Sequence, residues 1–445
     1  MTNHPPQTGP DQDARSELAR TSLAAAGVAG AAVAGGLSLA RSAHAAGSDL
    51  VKLALIGCGG RGGGAAANAL ATKANLKLVA MADAFKAPIE NCLAGLKEHF
   101  PDKVDVPEDR RFIDLDGYQQ AIASGADMVL LCGPPGFRPA QFEAAVKAGK
   151  HVFTEKPIAT DAPGVRRVIA ANQEAKKKGL LVAVGHHLRH EVKHKEAIRR
   201  IHAGEIGKVQ FLRIYYNCPG VWVRARQKDE TEMHYQVRNW YYFTWLSGDH
   251  IVEQHVHDID VANWMMRGHP VSANAMGGRQ VRIGKEYGEI FDHHAVEFEY
   301  ADGTRCFSVC RHMPACWDSF AEHCHGTKGS VEIEGHGRAF IRIDGRPQVK
   351  LERGPDGHQL EMNDLMAALV SGQPYNEGDW AADATMTAIL GRMASYSGQT
   401  VRWDDAIASQ IDLAPERWSW DAQPKILPGP DGIYPCAVPG VTKAY

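Results

Sequence analysis

The sequence predicts an α/β domain with a doubly wound parallel sheet, followed by an α+β domain with a large, mostly antiparallel sheet. Between residues 51 and 187, short apolar runs alternate with helical stretches, as in parallel strands buried on both faces. Beyond residue 180, longer segments alternate in polarity and carry glycine-bearing turns, which is typical of antiparallel strands. The length of 445 residues also exceeds what one ordinary core holds.

The first 47 residues differ from the rest in composition. Thr21 to Ala40 are almost entirely Ala, Gly, Val, Leu and Ser, and Ser42 to Ala45 have the form of a signal-peptidase site. The segment resembles twin-arginine export signals, although Ala19 stands before Arg20 where such signals have their first arginine. Residues 1–47 are therefore predicted to be a degenerate export signal that leads to a periplasmic or other extracytoplasmic location. The alternatives are an N-terminal membrane anchor, or a protein that stays in the cytoplasm.

The overall charge excludes two classes of partner. The formal net charge is -3, from 49 lysines and arginines against 52 aspartates and glutamates. This balance creates no basic field for nucleic acid or for anionic lipid, so the predicted ligand is a small molecule. The 9 cysteines have no C-x-x-C spacing, which indicates neither a disulfide framework nor a thiolate zinc site.

The strands of the first domain, predicted over residues 48–180, follow in order. Residues 51–57 are predicted to form a buried strand, residues 60–73 the first helix and residues 76–84 the second strand. Helical stretches, among them Pro139–Lys150, separate three later apolar runs that are also predicted strands: 127–133, 151–157 and 179–187.

A glycine-rich turn joins the first strand to the first helix. Gly57, Gly59 and Gly62 have the spacing that permits a tight turn, close approach of a pyrophosphate and close packing of the helix. Asp83 ends the next strand, where its carboxylate would accept hydrogen bonds from ribose hydroxyls and repel a 2′-phosphate. This context predicts a Rossmann dinucleotide site for NAD, and the nearby Lys86 leaves NADP possible.

The run of residues 151–157 ends in Glu155-Lys156-Pro157, at the sheet edge where such folds bind ligands. Together with the glycine turn, this tripeptide resembles the signature of the glucose-fructose oxidoreductase and inositol dehydrogenase family (Gfo/Idh/MocA), over residues 51 to about 405. A Gly133-Pro134-Pro135 segment stands where that family has a loop beside the nicotinamide ribose. The predicted cofactor-binding residues are Gly57, Gly59, Gly60, Arg61, Gly62, Asp83, Pro134, Pro135, Glu155 and Lys156.

Further matches lie beyond residue 180. His257-Asp258-Ile259-Asp260 matches the family's H-x-x-D, on a helix that faces the nicotinamide, and Gly185–His190 matches its glycine-to-arginine segment. Glu253 lies four residues before His257, on the same predicted helix face, where sugar and inositol dehydrogenases of the family often have aspartate. Trp240 and Tyr241, in a predicted long loop, can stack on a sugar ring or belong to the core. The candidate substrate-binding residues are Lys156, Arg189, Trp240, Tyr241, Glu253 and His257.

The resemblance implies an NAD(P)-dependent oxidoreductase acting on a secondary hydroxyl of a sugar, glycoside or cyclitol. Lys156 and His257 are the predicted catalytic residues, and either of them can be the base. Because free NAD is scarce outside the cytoplasm, an exported enzyme is expected to hold its cofactor tightly. One alternative is a redox-assisted glycoside hydrolase of the same family, and another is a non-catalytic protein that binds NAD or sugar.

Histidines are numerous near the candidate site, which raises the question of a metal site. His255 and His257 form an H-x-H pair, but side chains two positions apart diverge on a helix, so no metal is predicted. Four further histidines precede the second domain and either bind substrate hydroxyls or are solvated: His186, His187, His190 and His194.

The second domain is predicted over residues 181–405. In the family, the open face of its sheet makes subunit contacts, so a homodimer or homotetramer is expected. Residues 384–398 are predicted to form a helix that returns to the first domain. The proline-rich residues 406–445 are predicted to be an extended arm that crosses its own surface or a neighbour's. No stable membrane insertion is expected once the signal is removed.

Overall fold

The structure is a computed structural model that describes residues 50–335 and 337–445. The predicted export signal, residues 1–47, lies outside the described residues. All described residues belong to one compact unit, His44–Tyr445. A search of the described residues finds no helix with the length and apolar character needed to cross a bilayer.

Six parallel strands form the first sheet of the described chain, in the order β3-β2-β1-β4-β5-β6. This is the strand order of a dinucleotide-binding Rossmann fold. The last strand lies beyond residue 180, where the sequence places the end of the first domain. The strands are β1 (Val51–Ile56), β2 (Leu76–Asp83), β3 (Arg111–Ile113), β4 (Met128–Leu131), β5 (His151–Thr154) and β6 (Val182–Val184).

Helices cover both faces of this sheet, which explains why its strands are apolar at successive positions. On β1, Leu53 and Leu55 pack with the first two helices, and Ala54 and Ile56 pack with the next three. A sixth helix leads towards the second sheet. The helices are α1 (Gly60–Leu70), α2 (Lys86–His99), α3 (Gly117–Ala123), α4 (Arg138–Lys147), α5 (Ala162–Lys177) and α6 (Val192–His202).

The second sheet has nine strands in the described chain, in the order β14-β13-β12-β11-β7-β10-β9-β8-β15. Neighbouring strands in this sheet are antiparallel, except that β7 and β10 are parallel to each other. The predicted fold class is thereby confirmed. The strands are β7 (Val209–Cys218), β8 (Ser272–Gly278), β9 (His293–Glu299), β10 (Arg305–His312), β11 (Ser319–Gly326), β12 (Gly329–Glu334), β13 (Ala339–Ile343), β14 (Val349–Leu351) and β15 (Val401–Arg402).

Seven further helices accompany this sheet in the described chain. The segment predicted as a long loop before His257 instead contains three short helices, because its aromatic side chains are buried and fix its backbone. The helices are α7 (Glu232–Arg238), α8 (Thr244–Ser247), α9 (His250–Glu253), α10 (Val256–Met266), α11 (Gly357–Ser371), α12 (Gly378–Ser397) and α13 (Trp403–Ala408).

Helix α12 joins the two sheets. It starts before the predicted residue 384 and ends at Gly398, whose φ of 69° forms a left-handed cap. The helix packs against α5 and against β8. Asn172 of α5 donates a hydrogen bond to Asp379 of α12 at 2.9 Å. The predicted return to the nucleotide-binding part is therefore built into the core.

The C-terminal arm crosses the surface of its own chain. The backbone nitrogen of Leu413 donates to Asp161 at 2.9 Å, and the hydroxyl of Tyr434 donates to Glu232 at 2.7 Å. Arm residues pack into a third hydrophobic cluster with the loops after β2, β3 and β4 and with α7 and α8. The arm thus ties the first sheet's loops to the segment that precedes α10.

Candidate active site

The turn between β1 and α1 has the backbone that a pyrophosphate requires. A Cβ on Gly57 would lie 2.2 Å from the nitrogen of Gly133, and one on Gly62 would lie 1.9 Å from the oxygen of Gly57. Gly57 also has a φ of +89°, which favours glycine. No atom lies within 4 Å of a Cβ placed on Gly59 or Gly60, so the N-terminus of α1 is open to an anion.

A cavity of about 780 Å³ lies over this turn. Its size falls within the usual range for cofactor sites, and its walls come from both parts of the chain. Of the predicted cofactor residues, seven are in the wall, whereas Pro135, Glu155 and Lys156 are not. Other residues that line it are Phe85, Leu115, Tyr118, Phe137, Gln141, Trp222, Arg224, His234 and Trp240. The open helix terminus and the cavity fit a bound dinucleotide.

Asp83 lies in the cavity wall at the end of β2. Its carboxylate accepts hydrogen bonds from the backbone nitrogens of Cys58 at 2.7 Å and Phe85 at 3.0 Å. Burial raises the pKa of Asp83, and these backbone donors oppose that rise. Lys86 is outside the wall and pairs with Glu90 at 3.3 Å. An acidic group in the wall and a lysine engaged elsewhere favour NAD over NADP.

Arg61 and Glu155, both predicted to bind the cofactor, bind each other. The Arg61 guanidinium lies 3.0 Å from the buried Glu155 carboxylate, which joins the glycine turn to the end of β5. A Cβ on Gly185 would lie 2.6 Å from that carboxylate, so the glycine after β6 makes room for it. Glu155 therefore organises the loops around the cavity without lining it.

Arg138 is a site residue that the sequence analysis missed. Its buried guanidinium donates to the carbonyl oxygens of Pro157 at 2.5 Å and Gly133 at 2.8 Å. Burial lowers the pKa of Arg138, and the nearby Glu155 opposes that effect. The two bonds fix the loops after β4 and β5 to each other. An arginine in the first turn of α4 carries no motif that predicts this role.

Lys156 and Glu253 are brought together from opposite parts of the chain. The Lys156 ammonium donates to the backbone oxygen of Glu253 at 2.5 Å and lies 3.2 Å from its carboxylate. The two side chains are only 11% and 13% exposed. Lys156 follows β5, which pairs with β4, and the residues after β4 line the cavity. The ion pair therefore lies one strand away from the cofactor wall.

His257 lies in the same region, and the Nδ1 of its imidazole is buried. Among the described residues, this nitrogen has no hydrogen-bond partner. Burial, and then the positive charge of Lys156, hold the pKa of His257 well below its ordinary value of 6.5. The ring is consequently neutral near pH 7 and can accept a proton.

Three more imidazoles surround His257. The ring of His187 lies 4.8 Å away and that of His186 lies 5.9 Å away. His358, from the first turn of α11, stacks on His187 at 3.9 Å. Burial lowers the pKa of His186 to about 4. His358 was missed by the sequence analysis because it lies a hundred positions from His257 and belongs to no motif.

The helix that was predicted to carry both Glu253 and His257 is interrupted. Glu253 ends α9, Gln254 and His255 form a turn, and His257 lies in the first turn of α10. The backbone nitrogen of His255 bonds to the oxygen of His250 at 3.1 Å, which closes that turn. The shared helix face was thus a wrong expectation, although both side chains lie near Lys156.

Arg189 has a different environment from the substrate pocket predicted for it. Its guanidinium makes two hydrogen bonds to Asp260, at 2.7 and 2.8 Å. It also lies over the ring of Trp380 at 3.8 Å and that of Trp264 at 4.9 Å. This planar, bidentate contact occupies the guanidinium and fixes α10 to the loop after β6. We therefore correct the substrate-binding prediction for Arg189 to a structural role.

Trp240 and Tyr241 differ from each other. Trp240 lines the cavity and contacts Trp222 edge-on at 5.8 Å, so it remains accessible to a ligand. Tyr241 is only 2% exposed, and its hydroxyl donates to Gln254 at 2.9 Å. His312 also lies 2.6 Å from the same Gln254 oxygen. Tyr241 is therefore a core residue that orients Gln254, and its predicted stacking on substrate is incorrect.

A second group of buried histidines lies beneath the site. Asp249 accepts hydrogen bonds from His250 at 2.7 Å, from the backbone of Phe291 at 2.9 Å and from Tyr396 at 2.6 Å. His294 lies 3.3 Å from the same carboxylate. Within the described residues, these are the three side chains whose ligand atoms come within 4.8 Å of one another: Asp249, His250 and His294. Because N–H and O–H donors occupy the carboxylate, the group is a hydrogen-bonded network.

The remaining histidines named from the sequence are buried and paired. His190 contacts Asp364 at 2.8 Å, and His194 contacts Glu191 at 3.1 Å. His255 contacts Ser308 at 2.8 Å, away from His257. Acidic partners raise the pKa values of His190 and His194 against the opposing effect of burial.

Comparison with known proteins identifies the family. The family described as "Oxidoreductase family, NAD-binding Rossmann fold" matches residues 51–186, and "GFO/IDH/MocA C-terminal domain" matches residues 194–332. The chain belongs to the Gfo/Idh/MocA family. It is an NAD(P)-dependent oxidoreductase that acts on CH–OH groups, and NAD is its cofactor.

Named relatives of this Gfo/Idh/MocA oxidoreductase include cyclitol dehydrogenases. Inositol 2-dehydrogenase of Rhizobium meliloti (strain 1021) is 29% identical over 334 residues, which cover 72% of this chain and 89% of that protein. The scyllo-inositol 2-dehydrogenase (NAD(+)) of Bacillus subtilis (strain 168) is 26% identical over 288 residues, which cover 64% of this chain and 73% of that protein.

Solved structures share the fold of this oxidoreductase. The aldose-aldose oxidoreductase from Caulobacter crescentus, complexed with glycerol, has a TM-score of 0.64 at 20% identity and covers 80% of this chain and 100% of that one. A levoglucosan dehydrogenase, in complex with NADH and levoglucosan, has a TM-score of 0.63 at 18% identity and covers 80% and 99%. At these identities the similarity establishes the fold.

Proposed function

We propose that this oxidoreductase transfers hydride between a secondary hydroxyl carbon of a sugar, glycoside or cyclitol and the nicotinamide of a tightly held NAD. The observation that carries the proposal is the Lys156–Glu253 ion pair, one strand from the cofactor wall, together with the neutral His257, whose Nδ1 has no hydrogen-bond partner among the described residues. The printed names of the relatives, inositol 2-dehydrogenases among them, support the substrate class.

The proposed division of labour follows from the contacts. Glu253 holds the Lys156 ammonium through two oxygens, so Lys156 is oriented to donate a hydrogen bond to the reacting oxygen. His257 is neutral, and its Nδ1 has no hydrogen-bond partner among the described residues, so it accepts the hydroxyl proton. When bound, NAD supplies the hydride acceptor. The geometry thus favours His257 as the base, which the sequence left open between His257 and Lys156.

The surrounding imidazoles suit a substrate with several hydroxyl groups. Both ring nitrogens of His186 and the Nδ1 of His187 are buried without a hydrogen-bond partner among the described residues. A neutral imidazole offers one donor and one acceptor, and a hydroxyl group can satisfy either. Because unpaired buried polar atoms are costly, a polyol that pairs with them gains affinity.

The proposal is tested with protein purified without added cofactor. We expect denatured protein to release NAD, identified by mass, and intact protein to show reduced-nicotinamide absorbance with members of a sugar and cyclitol panel. Lys156→Ala should abolish the absorbance change while NAD remains bound. Lys147→Ala, which removes a lysine exposed on α4 and paired with Glu143, is the matched control.

The same assay separates the alternatives. Release of aglycone from glycosides without a lasting absorbance change would contradict the dehydrogenase function and indicate a redox-assisted hydrolase. Such a hydrolase could draw its acids and bases from Glu253, Tyr241 and the histidines. Of these, Tyr241 is buried and donates its hydroxyl to Gln254, so it does not support that alternative. Bound NAD with no spectral response to any substrate would contradict both enzymatic functions and indicate a non-catalytic binding protein.

The location and assembly of the protein form part of the proposal. The composition of residues 1–47 supports export, and an N-terminus after Ala45 in periplasmic protein is the expected result. Exposed aromatic residues on the second sheet and beside it, Phe307 and Trp317, support a homodimer or homotetramer formed through that face. Sedimentation of Phe307→Asp should show dissociation, whereas a monomeric wild-type protein would contradict the assembly.

A further inference from the structure

The adenosine end of the cofactor cavity is enclosed by side chains from three distant segments. Asp83 marks this end, because the acidic residue after the second strand of such folds binds the adenosine ribose. Phe85, in the loop after β2, and Tyr118, in the first turn of α3, line the cavity beside it. His234, from α7, lines the same cavity. None of these rings belongs to the glycine turn or to the substrate region.

A second layer of aromatic rings lies behind this wall, and it comes from the C-terminal arm. Trp420 lies 5.6 Å from Phe85 and 5.4 Å from His234, which are themselves 5.0 Å apart. The three rings therefore form a closed triangle. Such contacts between aromatic rings add to the free energy of burial and fix ring orientation.

Trp418, two residues before Trp420, also contacts aromatic rings of the cavity wall. Its ring lies 4.9 Å from Phe137 and 6.5 Å from Tyr118, and both of these residues line the cavity. Each arm tryptophan thus supports a pair of wall residues. The tryptophans do not line the cavity, so they act on a ligand only through the rings that they support.

Hydrogen bonds fasten the arm to the same helix that carries His234. Gln236 of α7 donates to the backbone oxygen of Ile426 at 2.8 Å, and Tyr434 donates to Glu232 at 2.7 Å. Arg226 in turn donates to the Tyr434 hydroxyl at 2.7 Å. The arm and α7 are therefore expected to open together, because displacement of one breaks the bonds to the other.

We propose that Trp418 and Trp420 are positioning residues for the adenosine half of NAD, and that the arm slows dissociation of the cofactor by holding Phe85, Tyr118 and α7 around it. Release of NAD then requires the arm to lift. The proposal rests on NAD as the ligand of this cavity, and it does not depend on the substrate or on hydride transfer.

The test measures the release of bound NAD from the full chain. The wild-type protein and three variants, Trp420→Ala, Trp418→Ala and the double variant, are loaded with radiolabelled NAD. Excess unlabelled NAD is then added, and the loss of bound label over time gives the dissociation rate. We expect about a tenfold faster release for each single variant and a larger change for the double variant. Trp420→Phe, which keeps an aromatic ring, should restore slow release.

Two controls separate positioning from general destabilisation. Trp403→Ala removes a tryptophan that stacks on His269 at 3.7 Å and does not line the cavity. Its NAD release should match the wild-type rate, even where its melting temperature falls. Release at the wild-type rate from the double variant, or equal acceleration by Trp403→Ala, would overturn the proposal. An enzyme inactive with every sugar but with arm-dependent release would overturn the proposed function alone.

Discussion

Two groups of buried and half-buried histidines among the described residues are organised differently. The site cluster consists of His186, His187, His257 and His358, and these rings contact one another. Carboxylates lie at its edge, where Asp260 is 3.7 Å from His186 and Asp356 is 3.5 Å from His358. The core cluster consists of Asp249, His250 and His294, and its carboxylate accepts hydrogen bonds from several donors. A central carboxylate joins the members of the core cluster, although the Nε2 of His250 is unpaired there. The site cluster has no such centre, and both nitrogens of His186 and the Nδ1 atoms of His187 and His257 lack a hydrogen-bond partner among the described residues.

The difference shows how histidine-rich sequence should be interpreted. The core cluster stabilises the fold, because the Asp249 charge is neutralised and hydrogen-bonded inside the protein. The site cluster leaves polar atoms unpaired, which is costly in the absence of a ligand. Variants in the site cluster should therefore change activity more than stability, and variants in the core cluster should do the reverse.

The largest expected effect is on turnover, beside the site cluster. Lys156→Ala should lower kcat/KM by about a thousandfold, because it removes the donor to the reacting oxygen. The affinity for NAD should change little. We would measure kcat/KM by steady-state kinetics with the best substrate of the panel, and the affinity for NAD by calorimetric titration. A loss of NAD binding equal to the loss of turnover would show that Lys156 belongs to the cofactor site instead.

The next effect is on stability, in the core cluster. Asp249→Asn should lower the free energy of unfolding by about 3 kcal/mol, because it removes the charge that the histidine and tyrosine donors surround. Urea denaturation followed by circular dichroism gives this value. The matched change in the site is Glu253→Gln. Compared with Asp249→Asn, it should lower the free energy of unfolding much less and lower kcat/KM more. Equal destabilisation by the two variants would contradict the distinction between a core cluster that stabilises the fold and a site that serves activity.

A smaller effect concerns the pH dependence of the site cluster. His257 must be neutral to accept a proton, and burial together with Lys156 holds its pKa well below 6.5. The neutral form therefore persists as the pH falls, and the acid limb of kcat/KM should lie below pH 6.5. His257→Gln should remove this limb and lower turnover by about a hundredfold. An unchanged limb in His257→Gln would assign the base to another group.

The smallest effect concerns substrate affinity. His187→Gln should raise KM by about tenfold with a lesser change in kcat, because His187 is proposed to pair with a hydroxyl away from the reacting carbon. The comparison is sharpened by His250→Gln, which should lower the melting temperature and leave KM near its wild-type value. Initial rates at varied substrate concentration provide the measurement.

Local motifs suffice to place one half of the candidate site in the fold. The glycine turn and the Glu155-Lys156-Pro157 segment each follow a strand directly, and Asp83 ends one, so strand ends alone place them at one edge of the sheet. The family match and the sheet topology confirm the family, the fold class and NAD. The features that were missed depend on distant partners. Arg189 pairs with Asp260, 71 positions away, and His358 approaches His187 from another helix.

The C-terminal arm is a similar case. Its prolines predicted an extended segment, but the sequence did not determine whether that segment crosses its own chain or a neighbour. The answer depends on single contacts, such as the bond of Leu413 to Asp161 and the packing of Trp420 on Phe85. The helix break between Glu253 and His257 was also hidden, because periodicity cannot show a turn that tertiary contacts stabilise.

The measurement that most directly tests the account is a single turnover with substrates deuterated at the secondary carbon. Protein that carries its own NAD is mixed with each member of the sugar and cyclitol panel, and the released nucleotide is analysed by mass. The account predicts deuterium on the nicotinamide in stoichiometric amount for at least one substrate, and none with Lys156→Ala. NAD that remains bound and undeuterated with every substrate would contradict it.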